Sequence, residues 1–176
     1  MMKKNVKIIL VGSRYTGKGQ IGRVWGKTSA DLPTLQPVIL YERMIGHMSK
    51  MHRVVAWVLS FDSEFKELRS SFYNHPDPDG IIFTYDVNDS SQQTVRHMDE
   101  FKDEILGKLD SLPPAVLFGI RLTKARERSQ ETVNEAKKWA NKLGIGDIFE
   151  STYEDTELFE KTVEEAFTAL LDRILN

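Results

Sequence analysis

An apolar run from Val6 to Val11 ends in Gly12-Ser13-Arg14-Tyr15-Thr16-Gly17-Lys18-Gly19. This junction constrains the fold more than any other stretch of the chain. The run reads as a buried strand, and the pattern G-x-x-x-x-G-K after a strand and before a helix is that of a loop whose backbone N–H groups cradle phosphate. Lys18 is placed to neutralise phosphate charge. A Ser or Thr normally follows the lysine and supplies a hydroxyl to Mg²⁺. Gly19 follows here and has no oxygen to offer. A bare glycine-rich turn is the bland alternative.

The rest of the chain alternates short apolar runs with helical periodicity, as expected of an α/β protein with a mainly parallel sheet. The loop opens a helix running to about Lys27. Val38 to Ile45 and Arg53 to Ser60 read as strands. The link Gly46 to His52 is too short for a crossover helix, so these two should form an antiparallel hairpin. Further strands are expected at Ile81–Asp86, Ala115–Ile120 and Asp147–Glu150. Asp89 and Gln92 suggest a capping box before a helix with Val95, Met98, Phe101, Ile105 and Leu109 on one face. Ser129 is positioned to cap a helix carrying Val133, Ala136, Ala140 and Leu143, which Gly144 stops. A last helix spans about Thr156 to Leu175, with Phe159, Val163, Ala166, Leu170 and Ile174 facing inward. The length, 176 residues, suits one domain.

Composition removes whole classes of function. The chain has no cysteine, which excludes disulfides, Cys-ligated zinc, thiol catalysis and, within these residues, prenyl or palmitoyl attachment. A net charge of −2 gives no general attraction to nucleic acid, and Lys124 to Arg128 reads as a solvated basic loop. His47, His52, His75 and His97 show no metal-ligand spacing. Asp77 and Asp79 flank Pro78 in turn chemistry. No run is long enough to span a bilayer, so a cytoplasmic protein without an intrinsic membrane anchor is expected.

These features together resemble the Ras superfamily of small GTPases over essentially the whole length. Val6-Lys7-Ile8-Ile9-Leu10-Val11-Gly12 is similar to that family's first strand and P-loop, Gly80 to Val87 to its fourth strand, and Val163-Glu164-Glu165-Ala166-Phe167 to its last helix. Pro33-Thr34-Leu35-Gln36-Pro37 is similar to switch I of the Arf/Sar branch. The resemblance implies a P-loop NTPase G domain: a six-stranded, mostly parallel sheet with one antiparallel strand, flanked by about five helices. It implies nucleotide contacts, if retained, at Gly12, Thr16, Gly17, Lys18, Gly19, Gln20 and Thr34.

Set against the family, the chain departs at the remaining motifs. Where D-x-x-G is expected it reads Val58-Leu59-Ser60-Phe61, with Asp62 in place of the water-positioning Gln. Where N-K-x-D is expected it reads Ile120-Arg121-Leu122-Thr123, and Thr123 cannot offer guanine the carboxylate fork. Ser151 to Glu154 match the S-A-K loop poorly. Arg14 and Tyr15 stand where small residues are usual; Arg14 either lies outside the pocket or fills part of it as an internal cation. Trp57 is expected in the core. Phe61 and Phe65 read either as a satellite core or as an exposed partner patch.

The resulting expectation is a pseudo-GTPase with weak or absent GTP binding and hydrolysis. No catalytic residue is assigned and the Mg²⁺ site is expected to be lost. Such a protein would present a surface of Leu35, Gln36, Val38, Phe61, Phe65, Leu68 and Tyr73 to a protein partner. The alternative is an atypical switch that holds GDP, GTP or ATP through the loop. A third reading is a structural subunit that buries its old nucleotide face.

Overall fold

The computed structural model describes residues 5–28 and 36–176. The expectations at Thr34 and Leu35 lie outside the described residues. Strand β1 (Asn5–Val11) leads through the glycine loop into helix α1 (Lys18–Trp25). Strands β2 (Val38–His47) and β3 (Lys50–Leu59) follow, then a single 3₁₀ turn and the short helix α2 (Lys66–Ser71). Next come β4 (Gly80–Asp86), α3 (Gln93–Leu106), β5 (Ala115–Arg121), α4 (Gln130–Lys142), β6 (Ile148–Thr152) and α5 (Thr156–Leu175). The six strands form one sheet in the order β2-β3-β1-β4-β5-β6. Only β2 runs antiparallel to its neighbour.

The central strands are largely apolar because both faces are covered. Ile8 and Leu10 point toward α1 and α5, while Ile9 and Val11 point toward α3 and α4. Trp25 of α1 stacks on Phe167 of α5 at 4.1 Å, and Trp139 of α4 meets Phe83 edge-on at 5.0 Å. Each burial removes a large aromatic surface from water, worth roughly 1.5–3 kcal/mol per side chain.

Several boundaries differ from expectation, each for a local reason. The β2–β3 hairpin is longer and tighter than the sequence suggests. His47 pairs with Lys50, and Met48 and Ser49 both take positive φ, 45° and 63°. That is the backbone of a two-residue primed turn, which favours Asn or Gly and here lacks both. The capping box does not form. Gln92 itself takes φ 58°, and Asp89 instead accepts from Thr94 N at 2.8 Å. Ser129 does cap α4, accepting from Thr132 N at 3.2 Å, and Gly144 takes φ 72° beyond its end. Trp57 is only half-buried, with the Lys7 ammonium over its ring at 4.2 Å.

Candidate functional site

The glycine loop is built as the motif requires. A Cβ on Gly12 would collide with the hydroxyl and carbonyl of Thr84, and one on Gly17, at φ 77°, would collide with Ile120. Thr16 is fully buried; its hydroxyl donates to Ser13 O at 2.8 Å and pairs with the Thr84 hydroxyl at 2.7 Å. Thr16 therefore spends its side chain on loop shape. Lys18 opens α1 and is buried, its ammonium donating to Ser13 O at 2.9 Å. The Ser13 hydroxyl is buried with no hydrogen-bond partner among the described residues.

A cavity of about 290 Å³ lies over this loop, lined among others by Arg14, Lys18, Gln20, Gln36, Val58 and Asp62. Gly17 and Gly19 form part of its wall. Its electrostatics are unbalanced. Burial, then the nearby Arg69 charge, pull Lys18 from 10.5 down to about 7, with Asp62 only partly opposing. A buried ammonium with one carbonyl partner favours its neutral form, or an anion beside it. The loop, α1 and Lys18 thus fit an anion.

The same residues do not fit Mg²⁺. A Cβ at Gly19 would meet nothing within 4 Å, so space exists for a ligand side chain and none is there. Val58 is 6% exposed and belongs to the core. Asp62, the carboxylate among the residues lining this cavity, is bound by the Arg14 guanidinium and by Ser60 Oγ at 3.2 Å. That hydrogen bond from Arg14 holds the Asp62 carboxyl below its usual range. Among the described residues no group of three acidic or histidine side chains could hold a metal ion. Arg14 is therefore not an internal cation; its side chain is exposed and reaches across to Asp62.

The turn after β5 is held by side-chain hydrogen bonds. Thr123 Oγ1 donates to Glu154 Oε1 at 3.0 Å, and Lys124 N donates to Glu154 Oε2 at 2.6 Å. These bonds, the backbone one first, hold the Glu154 carboxyl below its usual range. Arg121 Nη2 caps the same turn, donating to the carbonyls of Lys124 and Arg126 at 3.1 and 2.9 Å.

The expected partner surface is assembled only in part. Leu68 is 48% exposed, and Gln36 and Val38 are half-buried. Phe61 and Phe65 are half-buried; Phe61 packs on His97 and Phe101, at 4.6 and 6.1 Å between ring centres. Tyr73 corrects the expectation. It is fully buried, and its hydroxyl donates to Glu104 Oε2 at 2.8 Å. Burial pushes its hydroxyl far above the usual phenol range. Glu104 also takes a fork from the buried Arg69, at 3.1 Å from Nε and 2.9 Å from Nη2. Arg69 Nη1 donates in turn to Ser60 O at 2.8 Å. The segment after β3 is thereby pinned to α3. Arg69, Glu104 and Glu154 carry no local sequence signal, because each finds its partner from a distant part of the chain.

The model of the Ras family matches residues 7–176. No curated protein matches the chain. No helix among the described residues is long and apolar enough to cross a membrane.

Proposed function

Because the chain belongs to the Ras family, we propose that it works as a pseudo-GTPase, a G domain that binds a protein partner without a GTP hydrolysis cycle. The observation that carries this is that Val58 and Gly19 line the same cavity as Lys18. Phosphoryl transfer relies on positioning and on metal charge, and neither Gly19 nor Val58 has a side-chain oxygen to offer a metal. The base loop supports the same reading, since Thr123 is engaged by Glu154. The buried fork of Arg69 on Glu104 supports a segment after β3 that stays in one conformation, rather than ordering with a γ-phosphate. The partner surface is then Gln36, Val38, Phe61, Phe65 and Leu68. Melting with GDP, GTP, ATP or no nucleotide, each with Mg²⁺ or EDTA, tests it, because a ligand of the folded state raises Tm. A Mg²⁺-dependent rise of several degrees with a guanine nucleotide would sink this reading.

A second reading rests on the Ser13 hydroxyl, unpartnered among the described residues, and on the one hydrogen bond that the Lys18 ammonium makes among them. It is metal-independent binding of a nucleotide through its phosphates. A rise in Tm with nucleotide in EDTA supports it, and no rise with any nucleotide rules it out.

A further inference from the structure

Asp62 stands at the head of the 3₁₀ turn Ser63–Phe65. An aspartate there ordinarily turns its carboxylate onto the first N–H groups of its own helix. Asp62 makes no such bond. Its carboxylate faces back toward the glycine loop, where it accepts from the Arg14 guanidinium and from Ser60 Oγ, the latter at 3.2 Å. The backbone is fixed to hold it so. Asp62 N donates to Ser60 Oγ at 3.2 Å, and Ser60 N donates to Pro37 O at 2.9 Å. The buried Arg69 donates through Nη1 to Ser60 O at 2.8 Å and to Asp62 O at 3.4 Å.

The charges meet in the cavity over the loop. Its wall carries two cations, Arg14 and Lys18, and one carboxylate, Asp62. Burial pulls the Lys18 pKa down and Asp62 opposes that; the Arg14 hydrogen bond holds the Asp62 carboxyl low, and Lys18 adds to it. The two groups therefore feel each other's charge. Yet Asp62 leaves the donors of the loop unused. An ammonium has three N–H groups, and Lys18 makes one hydrogen bond among the described residues, to Ser13 O. Ser13 is 4% exposed, and its hydroxyl has no partner among them. Asp62 thus supplies the loop with a counter-charge without supplying its hydrogen bonds.

We propose that the Asp62 carboxylate is a built-in counter-ion of the glycine loop, one that keeps a phosphate group out until its side chain turns away. The inference rests on the second reading above, that the loop and Lys18 hold phosphate without a metal. A phosphate entering the loop meets a carboxylate in the same cavity, and like charges so placed disfavour binding. It must also take Arg14 from Asp62. Arg69 grips the backbone of Ser60 and Asp62, so the exchange is one of side chains while the segment after β3 stays in place. Asp62 is a positioning and selecting residue here, with no part in any bond-making step.

Calorimetric titration of the full chain with pyrophosphate in EDTA is the test. Asp62→Asn keeps the size and drops the charge, so it should bind about tenfold or more tightly than the parent. Asp62→Ser, a second uncharged variant, should show the same gain if the amide disturbs the turn. Asp62→Glu keeps the charge and should bind no better than the parent. Adding Lys18→Met to Asp62→Asn should abolish the gain, which places it at the loop. Melting without ligand checks that each variant is folded. A gain shared by Asp62→Glu, or kept by the Lys18→Met double variant, overturns the proposal. If the parent binds and neither uncharged variant binds better, the proposal fails and the second reading stands. If only the uncharged variants bind, the proposal stands and the second reading fails for the parent. Binding by none of them overturns both.

Discussion

Arg69 of α2 forks onto Glu104 of α3, and the same Glu104 accepts from Tyr73, so one carboxylate ties together the whole segment after β3. Removing one member of a buried ion pair leaves an uncompensated charge, which costs about 3–5 kcal/mol. Glu104 is partly exposed, so the low end applies. Arg69→Met should lower urea stability by about 3 kcal/mol and raise hydrogen exchange in residues 60–71 before the rest of the sheet. Uniform exchange loss across all strands would show that the segment is not separately pinned.

Lys18 gives a pH signature. The unfolded chain holds this proton up to about 10.5, whereas the folded chain releases it near 7. Between those values the unfolded state binds more protons, so stability must rise with pH. Lys7, lowered by burial to about 8 with Asp77 opposing, acts in the same direction over a narrower window. Lys18→Met should be more stable than the parent at pH 7, with the difference shrinking toward pH 10. Pyrophosphate in EDTA should flatten the parent's slope by giving Lys18 a counter-charge. An identical slope in the variant and the parent would refute the assignment.

Restoring single motif residues should not restore the cycle. Gly19→Ser meets open space, so its stability should stay within about 0.5 kcal/mol of the parent. It should still show no Mg²⁺-dependent turnover of GTP, because Val58 and Thr123 remain. Measurable turnover in that variant would show that the correspondence at Val58 and Thr123 is wrong.

Thr123→Asp is expected to fail for a different reason. The new carboxylate would face Glu154, which now accepts from the Thr123 hydroxyl. Melting should fall, and Thr123→Asp/Glu154→Lys should recover it. Recovery of guanine affinity by the single change, read by calorimetry, would show that the loop is open to a base.

The β2–β3 turn is improvable. Met48 and Ser49 both hold positive φ, a strain of order 1 kcal/mol or more for each such residue. Met48→Asn/Ser49→Gly should raise stability by about 1 kcal/mol, seen as a higher urea midpoint with unchanged slope. A lower midpoint would mean that the Met48 side chain contributes packing in solution.

The strands, the hairpin and the glycine loop were legible in the sequence because they rest on near-neighbour physics: apolar runs for strands covered on both faces, and Gly12 and Gly17 where a Cβ has no room. That Gly19 and Val58 carry no side-chain oxygen was equally legible, since it holds in any conformation. The capping box was not, because Asp89 reaches Thr94 only once Gln92 turns left-handed.

What the tertiary structure decided is who meets whom. Arg14 finds Asp62 at a separation of 48 residues, Arg69 finds Glu104 at 35, and Thr123 finds Glu154 at 31. No periodicity or spacing encodes such pairs; they follow from the order in which parallel strands bring their ends together. Tyr73 shows the consequence, a residue that reads as surface from its neighbours but lies in the core, where an acid on α3 accepts from its hydroxyl. By itself the sequence determined the order of strands and helices, and that Gly19 and Val58 carry no side-chain oxygen. Only the packing of distant segments decided that Asp62, Arg69 and Thr123 are each engaged by an ion pair or hydrogen bond from far along the chain.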